Sequence, residues 1–343
     1  MTRRTDGDAT GCQGRLTHRR RAGPEPGGRP SRVLPVRTSS ALRPAVGLVL
    51  AILLLTACAE RGGSGAAPPG PSGPTASEPG TVPLPDDPDA LVLQAAETGG
   101  FTTPELLAGR LPIVSVYADG RVITQGPVPA IYPGPAWPNV QVRQVDRATV
   151  QELAGRALDA GIAEETDLGS PPLADATSTR FTLVTAERTV QREVYALREA
   201  AGAGGLSGEP AAGGLTAEQE EARAELQDLL DDLSDLALTT GTEGEAPASY
   251  APEAVAALAR PWTEPGDELP QPELPWPGPA LPGEPIAPGV TCVTATGEEA
   301  GAVADAAREA TTLTPWVGAD GDRWSLTFRP LLPHESGCAD LTG

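Results

Sequence analysis

Residues 132–138 read YPGPAWP and residues 276–282 read WPGPALP. Five of the seven positions are identical, and the other two exchange one apolar residue for another. Each copy leads into an alternating run and then a helix start. After the first come NVQVRQV (139–145) and a helix near 150–160; after the second come VTCVTA (290–295) and a helix near 297–310. Two explanations stand open. Either a unit has been duplicated, or two Pro-rich turns agree because the composition is biased. Duplication predicts an α+β fold of two related hairpin-strand-helix-hairpin units packed as one body.

The surrounding sequence fills in that expectation. Residues 111–117 (LPIVSVY) and 121–125 (RVITQ) alternate around Ala118-Asp119-Gly120. Asp-Gly tolerates positive φ, so this reads as a β-hairpin. Either Asp146 or Thr149 caps the next helix, and Gly161 ends it. Val150, Leu153, Ala154, Ala157 and Leu158 fall on one face of that helix. Residues 179–185 and 189–195 form a second hairpin. In the second half, Thr296-x-x-Glu299 reads as a capping box, and 316–317 with 323–329 as a hairpin turning at Ala319-Asp320-Gly321. Ala254–Arg260 stands where the first half has its opening hairpin.

Residues 200–214 hold six Gly in fifteen positions and read as a mobile loop. Thr216, boxed with Gln219, then opens a long helix to about Leu238. Leu226, Leu229, Leu230, Leu233, Leu236 and Ala237 make its buried stripe, and eight acids with the single base Arg223 line the rest. This acidic helix is expected between the two units. The resulting divisions are 58–88 as a tether, 89–250 as the first unit with the acidic helix, and 251–343 as the second.

The N-terminal region speaks to location. Residues 45–57 (AVGLVLAILLLTA) are apolar but shorter than the ~20 residues a bilayer span needs. With Arg37 and Arg43 ahead of them they read as the core of a secretory signal. They end in Leu55-Thr56-Ala57-Cys58. This stretch closely resembles a bacterial lipoprotein signal peptide with its lipobox. The resemblance implies that 1–57 is removed and that Cys58 carries a diacylglyceryl group. A start at Val33 or Val36 gives a leader of conventional length. Residues 59–88, with eight Pro and six Gly, read as a flexible tether. No Lys occurs and Asn139 is the single Asn, while Arg, Ala, Gly and Pro abound, which points to a GC-rich genome. The chain as a whole resembles actinobacterial-type lipoproteins, a resemblance that carries no activity. Tyr117-Ala118-Asp119-Gly120-Arg121-Val122 also resembles a hairpin motif of bacterial exported proteins, again with no activity attached. The expected location is the extracytoplasmic face of the cell membrane, held by lipid.

Charge and residue inventory prune the function classes. Residues 1–57 hold ten Arg against three acids, whereas 58–343 hold 15 basic and 43 acidic groups, a net of −28. Phosphate backbones repel such a body, so no nucleic-acid partner is expected. Beyond the leader, His334 is the single His, which excludes multi-His metal sites; no cofactor is expected. His334 lies in LPHESGC and reads as a surface residue of a polar turn. Cys58, Cys292 and Cys338 remain after cleavage. With Cys58 lipidated, Cys292 and Cys338 form either a disulfide, the expected outcome in an oxidising compartment, or two buried thiols.

The remaining constellations are weak. Glu164, Glu165, Asp167 and Asp175 offer carboxylates for hydrolysis, or simply a solvated loop. Glu221, Glu225, Asp228, Asp232 and Asp235 step along one helix face, either a solvated surface or a site for a basic partner or divalent cation. The two Pro-rich segments are polyproline ligands or rigid covers in which Tyr132, Trp137 and Trp276 pack on the sheets. No catalytic residue is singled out. The expected function is a non-enzymatic module binding a basic protein, peptide or cell-wall component; an exported carboxylate-dependent hydrolase is the alternative.

Overall fold

The computed structural model describes residues 81–201, 214–238, 246–266 and 269–342, all within the compact unit Ser72–Gly343. The leader, Cys58, the tether up to residue 80 and most of the Gly-rich loop lie outside these residues. The described chain is α+β, with two sheets.

The first sheet is antiparallel throughout. It contains β1 (Leu91–Gly99), then after the short α1 (Pro104–Ala108) the strands β2 (Val114–Tyr117), β3 (Arg121–Gln125) and β4 (Val140–Gln144). The helix α2 (Arg147–Asp159) returns the chain to the far side, where β5 (Thr177–Val184) pairs with β1 and with β6 (Thr189–Tyr195). After α3 (Leu197–Ala201) and α4 (Ala217–Leu238), the two-residue β7 (Ala248–Ser249) closes the β4 edge. The strand order is β6-β5-β1-β2-β3-β4-β7.

The second sheet contains β8 (Ala254–Pro261), β9 (Leu274–Pro275), β10 (Glu284–Ala287), β11 (Val290–Thr296), the helix α5 (Gly297–Arg308), β12 (Trp316–Val317) and β13 (Arg323–Pro330). Its order is β10-β11-β8-β13-β12-β9.

Both hairpins of the first half form as expected. Gly120 stands at φ +91°, and its carbonyl accepts from Val145 N at 2.9 Å. Asp146 is the cap of α2, accepting from Thr149 N at 2.8 Å, and Gly161 follows the helix at φ +81°. Thr216 and Gln219 cap α4 reciprocally, at 2.9 and 3.3 Å. Thr296 departs from expectation: it makes no side-chain cap, and the Gly297 amide donates instead to Glu253 O at 3.3 Å.

Four further differences are structural. First, the interior strand β1 (LVLQAAETG) carries helix formers and no clean period. It is a strand because β2 and β5 pair on its two sides, so tertiary pairing overrides local preference. Second, the folded body begins before residue 89. Val82 and Leu84 are buried in the first core, and Gln151 Nε2 donates to Val82 O at 2.8 Å. Third, α4 does not lie between two units. It packs beside α2 on the first sheet, where Leu226, Leu229, Leu230 and Leu233 join Val114, Val116, Val150 and Leu153.

Fourth, the two halves are not copies in strand order. After α2 the first strand of the hairpin, β5, lies inside; after α5 the second strand, β13, does. The strands leading into the helices also differ, since β11 neighbours the central β8 whereas β4 is separated from β1 by two strands. The two Pro-rich segments instead converge on one core. Trp137 and Trp276 lie 6.4 and 6.3 Å from Phe328, ring centre to ring centre, and Ala136 N donates to Ala310 O at 3.1 Å. Trp137 and Trp276 are therefore covers of the second sheet, while Tyr132 is largely exposed. The first half reaches across once more through α1, whose Ala108 packs on Leu258 and Val290.

Candidate functional site

The other face of the first sheet meets the C-terminal segment. Alternation along β2 sends Val114 and Val116 toward the helices and Tyr117, at the strand end, to the opposite face. There it packs with Leu91, Ile123, Val140 and Leu332. Tyr117 is wholly buried, and its Oη lies 2.9 Å from His334 Nδ1. Burial first, then Glu335 and Tyr250, push the Tyr117 phenol far above its ordinary value, so it stays protonated. Burial of the ring pulls His334 down, against Glu335, so the imidazole is held neutral. With both groups uncharged, the contact is a neutral hydrogen bond whose direction follows the imidazole tautomer. Part of His334 is exposed, as its polar turn suggests, while its ring packs against Tyr117 and its Nδ1 faces inward.

Beneath that turn lies a buried ion pair. Arg329, 2% exposed, donates from Nη2 to Glu335 Oε1 at 2.7 Å and from Nη1 to Pro330 O. Glu335 Oε2 accepts from Leu332 N at 2.7 Å. The Arg329 guanidinium is pulled down by burial, with Glu335 opposing. On the hairpin side, Arg121 Nε donates to Asp119 Oδ2 at 2.6 Å and Nη2 pairs with Asp89. Burial lowers Arg121, but the two carboxylates more than offset it and the net shift is upward. Its guanidinium lies 5.4 Å from the Tyr117 ring centre, a cation–π distance. Tyr250 Oη donates to Leu331 O at 2.8 Å, and burial pushes its phenol up to about 12.

Of these groups, Asp89, Arg121, Tyr250 and Glu335 border a cavity of about 590 Å³. Asp89 and Arg121 form one wall, Tyr250 and Glu253 a second, and Glu335 and Ser336 a third. The C-terminal wall is pinned by the Cys292–Cys338 disulfide, with S–S 2.05 Å and Cα–Cα 6.0 Å. Asp340 Oδ2 ties the same turn by accepting from Ser336 N, Ser336 Oγ and Gly337 N; these bonds hold its carboxyl below the usual range.

The remaining carboxylates named from sequence are not brought together for chemistry. Asp167 accepts from Gly169 N and from Gln219 Nε2, each at 2.9 Å, tying its loop to the start of α4, and Glu164 accepts from Thr166 Oγ1 at 3.2 Å within its turn. Glu165 is exposed, and Asp175 occupies a positive-φ position, +58°. On α4, Asp232 pairs with Arg156 of α2, which relieves part of the like-charge penalty of the acidic face. Arg223 is buried against the body and donates to Leu168, Tyr195 and Ala196 carbonyls at 2.9–3.2 Å. Among the described residues no group of three or more His, Cys, Asp or Glu is placed to hold a metal ion. No helix among them is long and apolar enough to cross a membrane.

Sequence reasoning missed Tyr117, Arg121, Tyr250, Arg329 and Glu335 as one cluster. The available signal was local: the Asp-Gly turn places Tyr117 and Arg121 side by side at a hairpin end. No family model matches the chain, and neither a curated protein nor a solved structure does.

Proposed function

We propose that this is an exported lipoprotein, held at the extracytoplasmic face of the cell membrane by lipid on Cys58, and that its body is a non-enzymatic binding module. The observation supporting the binding reading is the state of the cavity groups. Arg121, Tyr250 and Glu335 are each committed to a protein partner, so the cavity is a rigid, pre-organised surface. Asp89, Glu253 and Glu335 outnumber the cavity's Arg121, and Tyr250 adds an aromatic wall. Such a lining favours a cationic group on a basic peptide, protein or wall component.

Titrating the protein with an Arg- or Lys-containing peptide in a calorimeter tests this. Binding that weakens with salt and with Glu253→Gln supports it; a Glu253→Gln variant that binds as well as the parent removes the cavity from the account. The anchor is tested separately, by the intact mass of the protein from its native host. A product without acyl mass on Cys58, or a Cys58→Ala variant that still partitions with membranes, refutes the anchor.

A further inference from the structure

The first sheet has two chemically opposite ends. Because its strands are antiparallel, the start of β1, the β2–β3 turn, the end of β4 and the β5–β6 turn share one end. That end carries Asp86, Asp87, Asp89, Asp119, Asp146 and Glu187. The end of β1, the start of β2, the end of β3 and the start of β4 share the other. Two connections emerge there, 100–113 with α1 and 126–139.

Among the described residues, eight large apolar side chains are exposed, and six of them lie on these two connections. They are Phe101 (91%), Leu106, Leu107, Val128, Ile131 and Tyr132. The connections are neighbours in space, since Leu106 and Val128 line one groove of about 390 Å³. The rim is also poor in acid, in a body of net charge −28. Residues 120–145 contain no Asp or Glu, and the single acid of 100–113, Glu105, is buried and paired with Arg260 at 3.0 Å. Asp175 and Glu199 stand on the β5 flank, beside the rim.

We propose that this rim is a membrane-contact surface, seating in the headgroup–acyl boundary of the bilayer that holds the anchor. The proposal rests on the anchored reading, and two observations carry it. The two connections pair exposed apolar groups with Arg110 and carry no exposed acid of their own, so this end of the first sheet meets less like-charge repulsion from lipid phosphates than the acidic end does. The tether also has the right length. The described residues begin at the acidic end, and β1, with nine residues, spans about 30 Å to the rim. From composition alone, a random coil of about 23 residues, the Pro/Gly-rich count from Cys58 to Thr81, would have an r.m.s. reach of about 26 Å. A linker whose r.m.s. length matches the span gives the highest effective concentration of the second contact.

The test removes the lipid and keeps the rim. The chain from Cys58, carrying Cys58→Ser, is sedimented with phosphatidylcholine–phosphatidylglycerol vesicles, alongside the same chain with Phe101→Ser and Ile131→Ser. Both changed side chains are exposed, so thermal unfolding should be unaltered. The expected result is vesicle binding by the first protein and binding weaker by about tenfold or more in the second, since the apolar area withdrawn from water sets the affinity. Equal sedimentation of the two, no sedimentation of either, or rim-dependent pairing of two copies that ignore vesicles overturns the proposal. Because Cys58 is absent as an anchor from every arm, the outcome is separate from the acyl-mass measurement.

Discussion

Tyr117 Oη and His334 Nδ1 are 2.9 Å apart across 217 residues of chain, and this bond joins the first hairpin to the C-terminal turn. Its electrostatics fix the pH response. His334 is shifted downward in the folded state, by burial first. Between that lowered value and the ordinary value near 6.5, the unfolded chain therefore binds more protons than the folded one. Stability is full above about pH 6.5 and falls as pH drops through the folded value. Urea unfolding at several pH values should show this slope in the parent and a flatter one in His334→Gln. Identical slopes would remove His334 from the account. Tyr117→Phe should cost about 1 kcal/mol, the worth of one hydrogen bond, with the ring packing retained.

The Arg329–Glu335 pair should behave as a unit. Arg329→Met leaves the Glu335 carboxylate buried without its cation, which costs about 3–5 kcal/mol. Adding Glu335→Gln removes the stranded charge and should recover part of that loss. A double-mutant cycle by chemical denaturation reads the coupling. Additive losses would mean that the two side chains act separately, against the 2.7 Å contact.

What the sequence discloses follows the range of the interactions. The Asp119-Gly120 turn, the Asp146 cap and the Thr216–Gln219 box are decided within a few residues, and each forms. The Cys292–Cys338 pairing was legible because few cysteines leave few pairings. The strand β1 was not legible, because its pairing with β2 and β5 is what makes Gln94-Ala95-Ala96-Glu97 extended. The Pro-rich match was legible as a string and misleading as topology. Trp137 and Trp276 sit on the same core because both supply an aromatic ring to Phe328, not because they enter equivalent strands. The cavity cluster joins residues 89, 121, 250 and 335, and no local pattern links positions so far apart.

Gly120 and Gly289 offer a matched test of the hairpin reading. Both have positive φ, +91° and +73°. A Cβ on Gly120 would stand 2.1 Å from Val145 O, whereas a Cβ on Gly289 meets nothing within 4 Å. Gly289→Ala should therefore cost only the left-handed penalty of about 1–2 kcal/mol. Gly120→Ala should cost clearly more, because the β2–β3 turn must also move away from the chain after β4. Differential scanning calorimetry of the two variants ranks them, and the reverse order would contradict the turn geometry.

The disulfide should couple stability to the cavity. It joins β11 to the C-terminal turn, closing a loop with a sequence separation of 46. Constraining such a loop in the unfolded chain is worth about 4 kcal/mol. Cys292→Ser with Cys338→Ser should lower stability by that order, provided Thr294 Oγ1 still accepts from Cys338's backbone amide as it does at 3.2 Å. The bond also holds the segment that presents Pro333, Glu335 and Ser336 to the cavity. Loss of the cross-link should therefore raise amide exchange first at 333–338, while the hairpin amides at 114–125 keep their protection through β1 and β4. Exchange measured by mass spectrometry separates the cases. Uniform loss of protection across both segments would mean that the disulfide stabilises the body as a whole and has no special hold on the cavity wall.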